Sequence, residues 1–371
     1  MEHMQQALAL ARRALGSVSP NPAVGAVVVR DGKVVGEGYT QPPGGPHAEI
    51  VALEQAGELA RGADLYVTLE PCCHHGRTPP CTHAIIAAGI TNVHMSHIDP
   101  DPQVSGRGCQ ELLAAGIEVT VGEGEEDAQL INEAYIKHRR TGIPFVTAKF
   151  AMSLDGRIAS RSGDSRWISG PEAREWAHRL RTQADALLVG IGTVLADDPL
   201  LMARLAAGEE VVRQPLRVVA DSRGRTPLTA QVLTGTPSPL LATTDLSPAS
   251  WRETMQASGA EVMVLPAQEG QVDLQALLQE LGRRDVVHLL VEGGGALLGS
   301  FFDRCLVDKV QAVIAPIIVG AVGAPTPVAG RGALTMADVL RLRRVEVERL
   351  GEDILVSGYV EGAQTGLSGD P

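Results

Sequence analysis

The sequence predicts an α/β protein of two domains, and three observations carry that expectation. Short apolar runs rich in Val, Ile and Leu alternate with stretches of helical periodicity along the chain. Its 371 residues exceed what one hydrophobic core ordinarily supports. Around Arg139 to Phe145 (RRTGIPF) the helical pattern stops at Gly142 and Pro144, and a fresh series of strands begins. The expected division is residues 1–143, residues 144–360 and a frayed tail over 361–371 (EGAQTGLSGDP).

In the first part, AVGAVVVRDGKVVGEGY reads as two strands around the hairpin dipeptide Asp31-Gly32. GGPHAEIVALEQAGELARG reads as a helix, with Pro46 at its first position and Gly62 as its stop. DLYVTLEP is a strand, PPCTHAIIAAGI a helix, NVHMSHID a strand, and CQELLAAGIEVTVG repeats the alternation. In the second part PFVTAKFAMSLDGRIA opens as a strand. A helix follows over SGPEAREWAHRLRTQ, where Ser169 and Glu172 have capping-box spacing. ALLVGIGTVLADDP, LRVVADS, LLATTD, EVMVLP and DVVHLLVE supply strands, and KVQAVIAPIIVG and DILVSGYV come after the last helix.

Charge argues against a nucleic-acid partner. The first 145 residues hold 10 Lys and Arg against 17 Asp and Glu, and the rest 22 against 27, so neither half offers a basic footprint. Aromatic residues are only 3% of the chain, too few for base-stacking platforms, and a small-molecule substrate is expected. Five cysteines, three of them clustered, point to a reducing compartment and a metal or reactive site, not to a disulfide framework. Met1 to Leu15 carries charges and lacks the apolar core of a secretory signal, and no run is long and apolar enough to span a membrane. The expected location is the cytoplasm.

The cluster is EPCCHHGRTPPC, Glu70 to Cys81. Upstream, His47-Ala48-Glu49 starts one expected helix; Cys81, after Pro79-Pro80, starts another. Two helix N-termini facing one metal would favour thiolate over thiol. His47, Cys72 and Cys81 make an N/S/S set for zinc that leaves a fourth position open to water, the arrangement of a catalytic site. Glu49, two residues from the histidine, is placed to move protons. Cys73 beside Cys72 offers an alternative: as a fourth ligand it would close the site and make the zinc structural. His75, His83, His94 and His97 read as packing or surface residues, and Cys109 and Cys305 as small buried hydrophobes.

HAE followed by PC fits the signature of zinc base deaminases, with a long interval of eight residues between Cys72 and Cys81. Taken with NPAVGAVVV, TLEPCCHHGRTPPC, DPDPQVSGRG, AKFAMSLDGRIA, TVLADDP and VEGGGALLGSF, in this order over nearly the whole chain, the sequence resembles the bifunctional deaminase/reductases of riboflavin biosynthesis. The resemblance implies an N-terminal cytidine-deaminase-like three-layer α/β/α domain and a C-terminal dihydrofolate-reductase-like α/β domain. It implies zinc-dependent deamination of 2,5-diamino-6-(5-phosphoribosylamino)pyrimidin-4(3H)-one, then reduction of the ribosyl chain by NADPH. It implies His47, Cys72 and Cys81 as zinc ligands and Glu49 as the acid/base. Asn21 falls to the pyrimidine and His74 and Arg77 to the substrate phosphate, which gives the long inter-cysteine loop a use. The chain departs from the family at Cys73, where serine is usual. A homo-oligomer is also implied.

In the second half the residues alone say less. Glu292-Gly293-Gly294-Gly295 follows an apolar strand and opens a helix, so bare amides could cradle a pyrophosphate; a tight connection is an equal reading, and the spacing is not the Rossmann fingerprint. By resemblance, Ala151, Trp167, Thr193, Asp197, Ser222 and Gly294, Gly295, Ala296, Leu297, Leu298, Gly299 and Ser300 line the NADPH site. Ser165, Arg181, Leu201, Arg204 and Glu292 line the substrate site, with Arg181 and Arg204 as phosphate forks. Arg223 and Arg225, after Asp221-Ser222, are candidates for the adenosine 2′-phosphate. Two rival readings stay open at this point: a tRNA adenosine deaminase fused to another domain, and a structural zinc module joined to a nucleotide sensor.

Overall fold

A computed structural model describes residues 2–74, 79–205, 211–363 and 365. It divides into two compact units, Met1–Gly142 with Thr365–Pro371, and Ile143–Gln364.

The first unit runs α1 (Glu2–Ala14), β1 (Gly25–Arg30), β2 (Lys33–Tyr39), α2 (Ala48–Ala56), a 3₁₀ turn (Gly57–Ala60), β3 (Asp64–Val67), α3 (Cys81–Ala88), β4 (Asn92–Met95), α4 (Arg107–Ala114), β5 (Glu118–Val121), α5 (Glu125–Ile131) and α6 (Glu133–Thr141). Its sheet has the order β2-β1-β3-β4-β5, antiparallel through β1 and parallel from β3 to β5. Helix α1 buries Met4, Ala7, Leu8 and Leu10 against Val27 and Val29 of β1. The buried face of α2 is made of Ala48, Ala52 and Ala56, and it lies flush on Gly36 and Gly38 of β2. A Cβ at either glycine would come within 2.1 and 2.2 Å of the carbonyl oxygens of Ala52 and Ala48. That close approach fixes where α2 begins. Its cap is His47 and its first residue Ala48, so Pro46 stands outside the helix, contrary to the sequence reading.

The second unit runs β6 (Phe145–Ser153), α7 (Pro171–Gln183), β7 (Ala186–Gly190), α8 (Ile191–Asp197), β8 (Leu216–Ala220), a 3₁₀ turn (Gln231–Leu233), β9 (Leu240–Thr243), α9 (Ala249–Ala257), β10 (Glu261–Val264), β11 (Ala267–Gln268), β12 (Gln271–Val272), α10 (Leu274–Arg283), β13 (His288–Glu292), α11 (Gly295–Asp303), β14 (Lys309–Ala315), β15 (Leu342–Leu350) and β16 (Asp353–Val360). Nine strands form one sheet in the order β10-β9-β8-β7-β13-β6-β14-β16-β15, parallel as far as β14 and antiparallel beyond. Both faces are covered: Val146, Leu188, Leu289 and Val291 join α10 and α11 in one cluster, and Leu187, Val189, Leu241 and Leu290 join α7 to α9 in another. Parallel strands covered on both sides read as unbroken apolar runs, which is why these were legible.

Four expectations change. The run IGTVLAD is α8 and not the continuation of a strand. Ser169 does not cap α7: Gly170 occupies that place, with its amide donating to Asp353 Oδ2 at 2.7 Å and Pro171 opening the helix. Strand β15 (LRRVEVERL), whose charges mask the alternation, was not foreseen. Thr365, inside the expected tail, is buried. Among the described residues no helix is long and apolar enough to cross a membrane.

Candidate active sites

In the first unit the chain leaves β3 and, through Thr68, Leu69, Glu70 and Pro71, reaches Cys72 at the carboxyl end of the parallel strands. Glu70 is buried, and its carboxylate accepts amide hydrogens from Asp99 (3.0 Å), Gly106 (2.9 Å) and Cys109 (3.0 Å). One side chain thus ties the cysteine turn to the DPDPQVSGRG loop. Cys72 meets the first turn of α3: its carbonyl accepts from Thr82 N (3.2 Å), and its Sγ lies 3.4 Å from the Cys81 amide.

The His47 Nδ1 stands 3.5 Å from Cys72 Sγ and 3.3 Å from Cys81 Sγ. All three ligand atoms lie within 4.8 Å of one another, and Cys73 is not part of the group. A tetrahedral zinc requires such a spread of nitrogen and sulfur donors, so the residues fit the metal. The Cys72 thiol is held down to about 4, first by the Cys81 thiol and also by His47, against the effect of burial. The same pairing, with burial, sends Cys81 well up. Glu49, in the first turn of α2, is 4% exposed, and burial lifts its carboxyl to about 7, with the Cys72 thiolate adding to the rise.

Asn21 and His74 are half-buried in loops of this unit, and the His74 Nδ1 is buried without a hydrogen-bond partner. Arg77 and His75 lie outside the described residues. The bland readings of the other histidines hold: His83 pairs with Glu111, His94 stacks on Tyr66, and His97 is buried with Nδ1 against the Ile98 carbonyl. Cys109 is half-buried and Cys305 is exposed, so neither is the buried hydrophobe expected.

In the second unit a cavity of about 330 Å³ opens at the carboxyl ends of β6, β7 and β13, and Ala151, Ser165, Thr193, Asp197 and Glu292 line it with Gly293, Gly294 and Gly295. A second cavity, of about 280 Å³, is lined by Ser222, Arg225, Ala296, Leu297 and Ser300. Gly192 borders both. The amide of Gly294, the cap of α11, donates to Thr193 Oγ1 at 3.0 Å. Leu298 is buried in the core, and a Cβ on Gly299 would meet the Ala329 carbonyl at 1.3 Å, so these two members of the run serve packing. Trp167 is 68% exposed beneath the Arg174 guanidinium and lines neither cavity. Leu201 packs in the core with a positive φ, and Arg204 is exposed. Arg223 is exposed and only Arg225 reaches the smaller cavity.

Arg181 is not the open phosphate fork the sequence suggested. Its Nε and Nη2 hold Glu292 Oε1 and Oε2 at 2.9 and 2.6 Å, and its Nη1 donates to the Met202 carbonyl. Burial opposes ionisation of Glu292, yet Arg181 and Lys149 bring its carboxyl down to about 2. Lys149 escaped the sequence reading. It is the Cα register partner of Glu292 on the neighbouring strand β6 and lines the larger cavity. A lone lysine inside the apolar run FVTAKFAM was the available signal.

A His/Cys/Cys cluster beside a buried carboxylate, with glycine-bordered cavities at the carboxyl ends of the strands in a second α/β unit, fits a zinc deaminase joined to a reductase. Residues 1–97 match the family model of the cytidine and deoxycytidylate deaminase zinc-binding region, and residues 144–356 that of the RibD C-terminal domain. Among curated relatives, riboflavin biosynthesis protein RibD of Aquifex aeolicus is 42% identical, covering 95% of this chain and 96% of its own. That of Escherichia coli is 40% identical, covering 95% and 97%. Among solved structures, Acinetobacter baumannii RibD superposes with a TM-score of 0.89 at 39% identity, over 97% of this chain and 98% of that one. The deaminase/reductase of Thermotoga maritima gives 0.83 at 35% identity, over 97% and 98%. The chain belongs to the RibD family of riboflavin biosynthesis proteins. Its halves are a cytidine-deaminase-like domain and a dihydrofolate-reductase-like domain, and its cofactors are Zn²⁺ and NADPH. Neither rival reading survives this membership.

Proposed function

We propose that residues 1–143 deaminate 2,5-diamino-6-(5-phosphoribosylamino)pyrimidin-4(3H)-one and residues 144–360 reduce the ribosyl chain of the product, giving 5-amino-6-(5-phosphoribitylamino)uracil. The observation that carries this reading is the cluster of His47, Cys72 and Cys81 within 4.8 Å, with Glu49 buried in the helix that His47 caps. Zinc, held by those three side chains, supplies a Lewis acid that makes water nucleophilic near neutral pH. Glu49 takes a proton from the attacking water at a carboxylate oxygen and hands it to the departing amino group, and its burial, which raises its carboxyl, favours both transfers. Asn21 orients the pyrimidine, and His74 and Arg77 hold the phosphate.

In the reductase half NADPH supplies the reducing equivalent. Ala151, Thr193, Asp197, Ser222, Gly294, Gly295, Ala296, Leu297 and Ser300 bind it, the amides at the start of α11 facing its phosphates. Ser165, Arg204 and Glu292 bind the phosphosugar, with Arg204 on its phosphate, while Arg181 fixes Glu292 and Lys149 lines the same cavity. Arg225 is the nearer of the two arginine candidates for the 2′-phosphate. The reading includes a homo-oligomer in the cytoplasm: β15 is a sheet edge bearing exposed Val345 and Val347, and all five cysteines are free thiols. Light scattering checks the assembly.

The test separates the two reactions. With the diaminopyrimidine and NADPH supplied, Glu49→Gln abolishes ammonia release, at least ~10²-fold, and leaves reduction of already deaminated substrate intact. Loss of both activities in a folded variant would refute the two-site assignment.

A further inference from the structure

The short hairpin of β11 and β12 contributes Gln271 and Val272 to the smaller cavity of the second unit, where Val272 N donates to Ser222 Oγ at 2.9 Å and Arg225 also lines the cavity. Its register pairs Ala267 with Val272 and Gln268 with Gln271, so Glu269 and Gly270 are the turn. Their φ values are +52° and +73°, both left-handed, the conformation of a two-residue turn that favours Asn-Gly or Asp-Gly. Glutamate, with a longer side chain, gains no local hydrogen bond to offset that backbone. Its carboxylate explains the choice of residue. It reaches across to Arg304, 3.3 Å from Nη2, while Gln268 Oε1 accepts from Arg304 Nε at 3.0 Å and the Ser300 carbonyl from Nη1 at 3.3 Å.

Arg304 caps the C-terminal end of α11 and lines the same cavity as Arg225. Its side chain is 20% exposed, whereas that of Glu269 is 67% exposed, so the ion pair is one-sided: a held cation and a wet anion. Water screens such a contact until it contributes little. Two guanidinium groups line one cavity, and among the described residues the carboxylate bonded to them is the solvated Glu269; such a pair suits a phosphate monoester, which offers a guanidinium fork up to two charges and three acceptor oxygens.

We infer that Arg304, together with Arg225, reads the 2′-phosphate of the dinucleotide cofactor, and that Glu269 is a stand-in anion that keeps Arg304 aligned and yields to the phosphate. The inference rests on the reading of this cleft as the NADPH site and adds to it the residues that select NADPH over NADH. Glu269 repels the incoming phosphate while it stays, so it lowers affinity for NADP⁺ without touching NAD⁺.

Calorimetric titration of the full-length protein with NADP⁺, NAD⁺ and adenosine 2′-phosphate tests this without turnover. The wild type takes NADP⁺ more tightly than NAD⁺. Arg304→Gln weakens NADP⁺ and adenosine 2′-phosphate by about tenfold or more, the loss of a charged hydrogen bond, and leaves NAD⁺ within about twofold. Glu269→Asn, which suits the left-handed turn, tightens NADP⁺ severalfold and leaves NAD⁺ unchanged. An equal loss of both dinucleotides in Arg304→Gln, no loss of either, or weaker NADP⁺ binding in Glu269→Asn overturns the inference. A wild type that binds both dinucleotides equally overturns it too, while leaving the cleft as a cofactor site; one that binds neither removes the reading beneath it.

Discussion

Lys149 and Glu292 stand beside one another only because β6 and β13 are parallel neighbours in a register that pairs them. Both are charged groups inside a sheet: Glu292 is answered by Arg181 and Lys149 together, and Lys149 by Glu292 alone, against the like charge of Arg181. Replacing Glu292 by Gln leaves Arg181 and Lys149 uncompensated and should cost about 3 kcal/mol at pH 7, read from the denaturant midpoint. The pH dependence follows from the depressed carboxyl. Ionised Glu292 contributes its full stability above the ordinary value of 4.5, and this is lost as pH falls through about 2. The gap between wild type and Glu292→Gln should therefore narrow between those values, and a gap that widens there contradicts the assignment. In the first unit, Cys73 sits outside the ligand cluster, so Cys73→Ser keeps its zinc on metal analysis while Cys72→Ser loses it. Retention of zinc by Cys72→Ser would show the wrong sulfur has been chosen. His47, Cys72, Cys81 and Glu49 were legible because each belongs to a helix start or a strand end with a distinct chemical type. Lys149 was not, since its partners lie on α7 and β13, far away along the chain.

Elements follow local pattern except where a close approach dictates their ends. Gly36 and Gly38 let α2 settle on β2, and the same contact makes His47 its cap. Helix α11 shows how tertiary packing reverses a local preference. In an exposed helix, Gly→Ala gains about 1 kcal/mol. At Gly299 the added methyl would meet the Ala329 carbonyl at 1.3 Å, so Gly299→Ala should instead destabilise by about 2 kcal/mol or more. A rise in melting temperature would contradict the packing. The glycine run reads in sequence as a phosphate cradle, and part of it, Gly293 and Gly294 at the cavity, is placed for that use. Gly295 and Gly299 answer to the segment around Thr326 and Ala329, which periodicity cannot reveal. The capping-box spacing of Ser169 and Glu172 misled for a related reason: Asp353, from the far end of the chain, takes the amide of Gly170 and sets the cap one residue later.

For the molecule as a whole, two units with separate cores imply two separable chemistries. Stripping the metal with a chelator should abolish ammonia release, leave reduction of deaminated substrate within about twofold, and lower only one of two calorimetric transitions. Parallel loss of reduction would mean that the metal supports both halves. The sequence by itself determined the α/β class, the break near Gly142, the grouping of His47, Cys72 and Cys81 and the family, because those depend on local periodicity and on residue types at short or motif-length spacing. Only the tertiary structure decided that Arg181 belongs to Glu292, that Lys149 faces the same cavity, and that Glu269 reaches Arg304. The first two follow from strand order and register, which bring distant charges together in a buried place where low dielectric makes them matter, and the third from a hairpin turn meeting the end of α11.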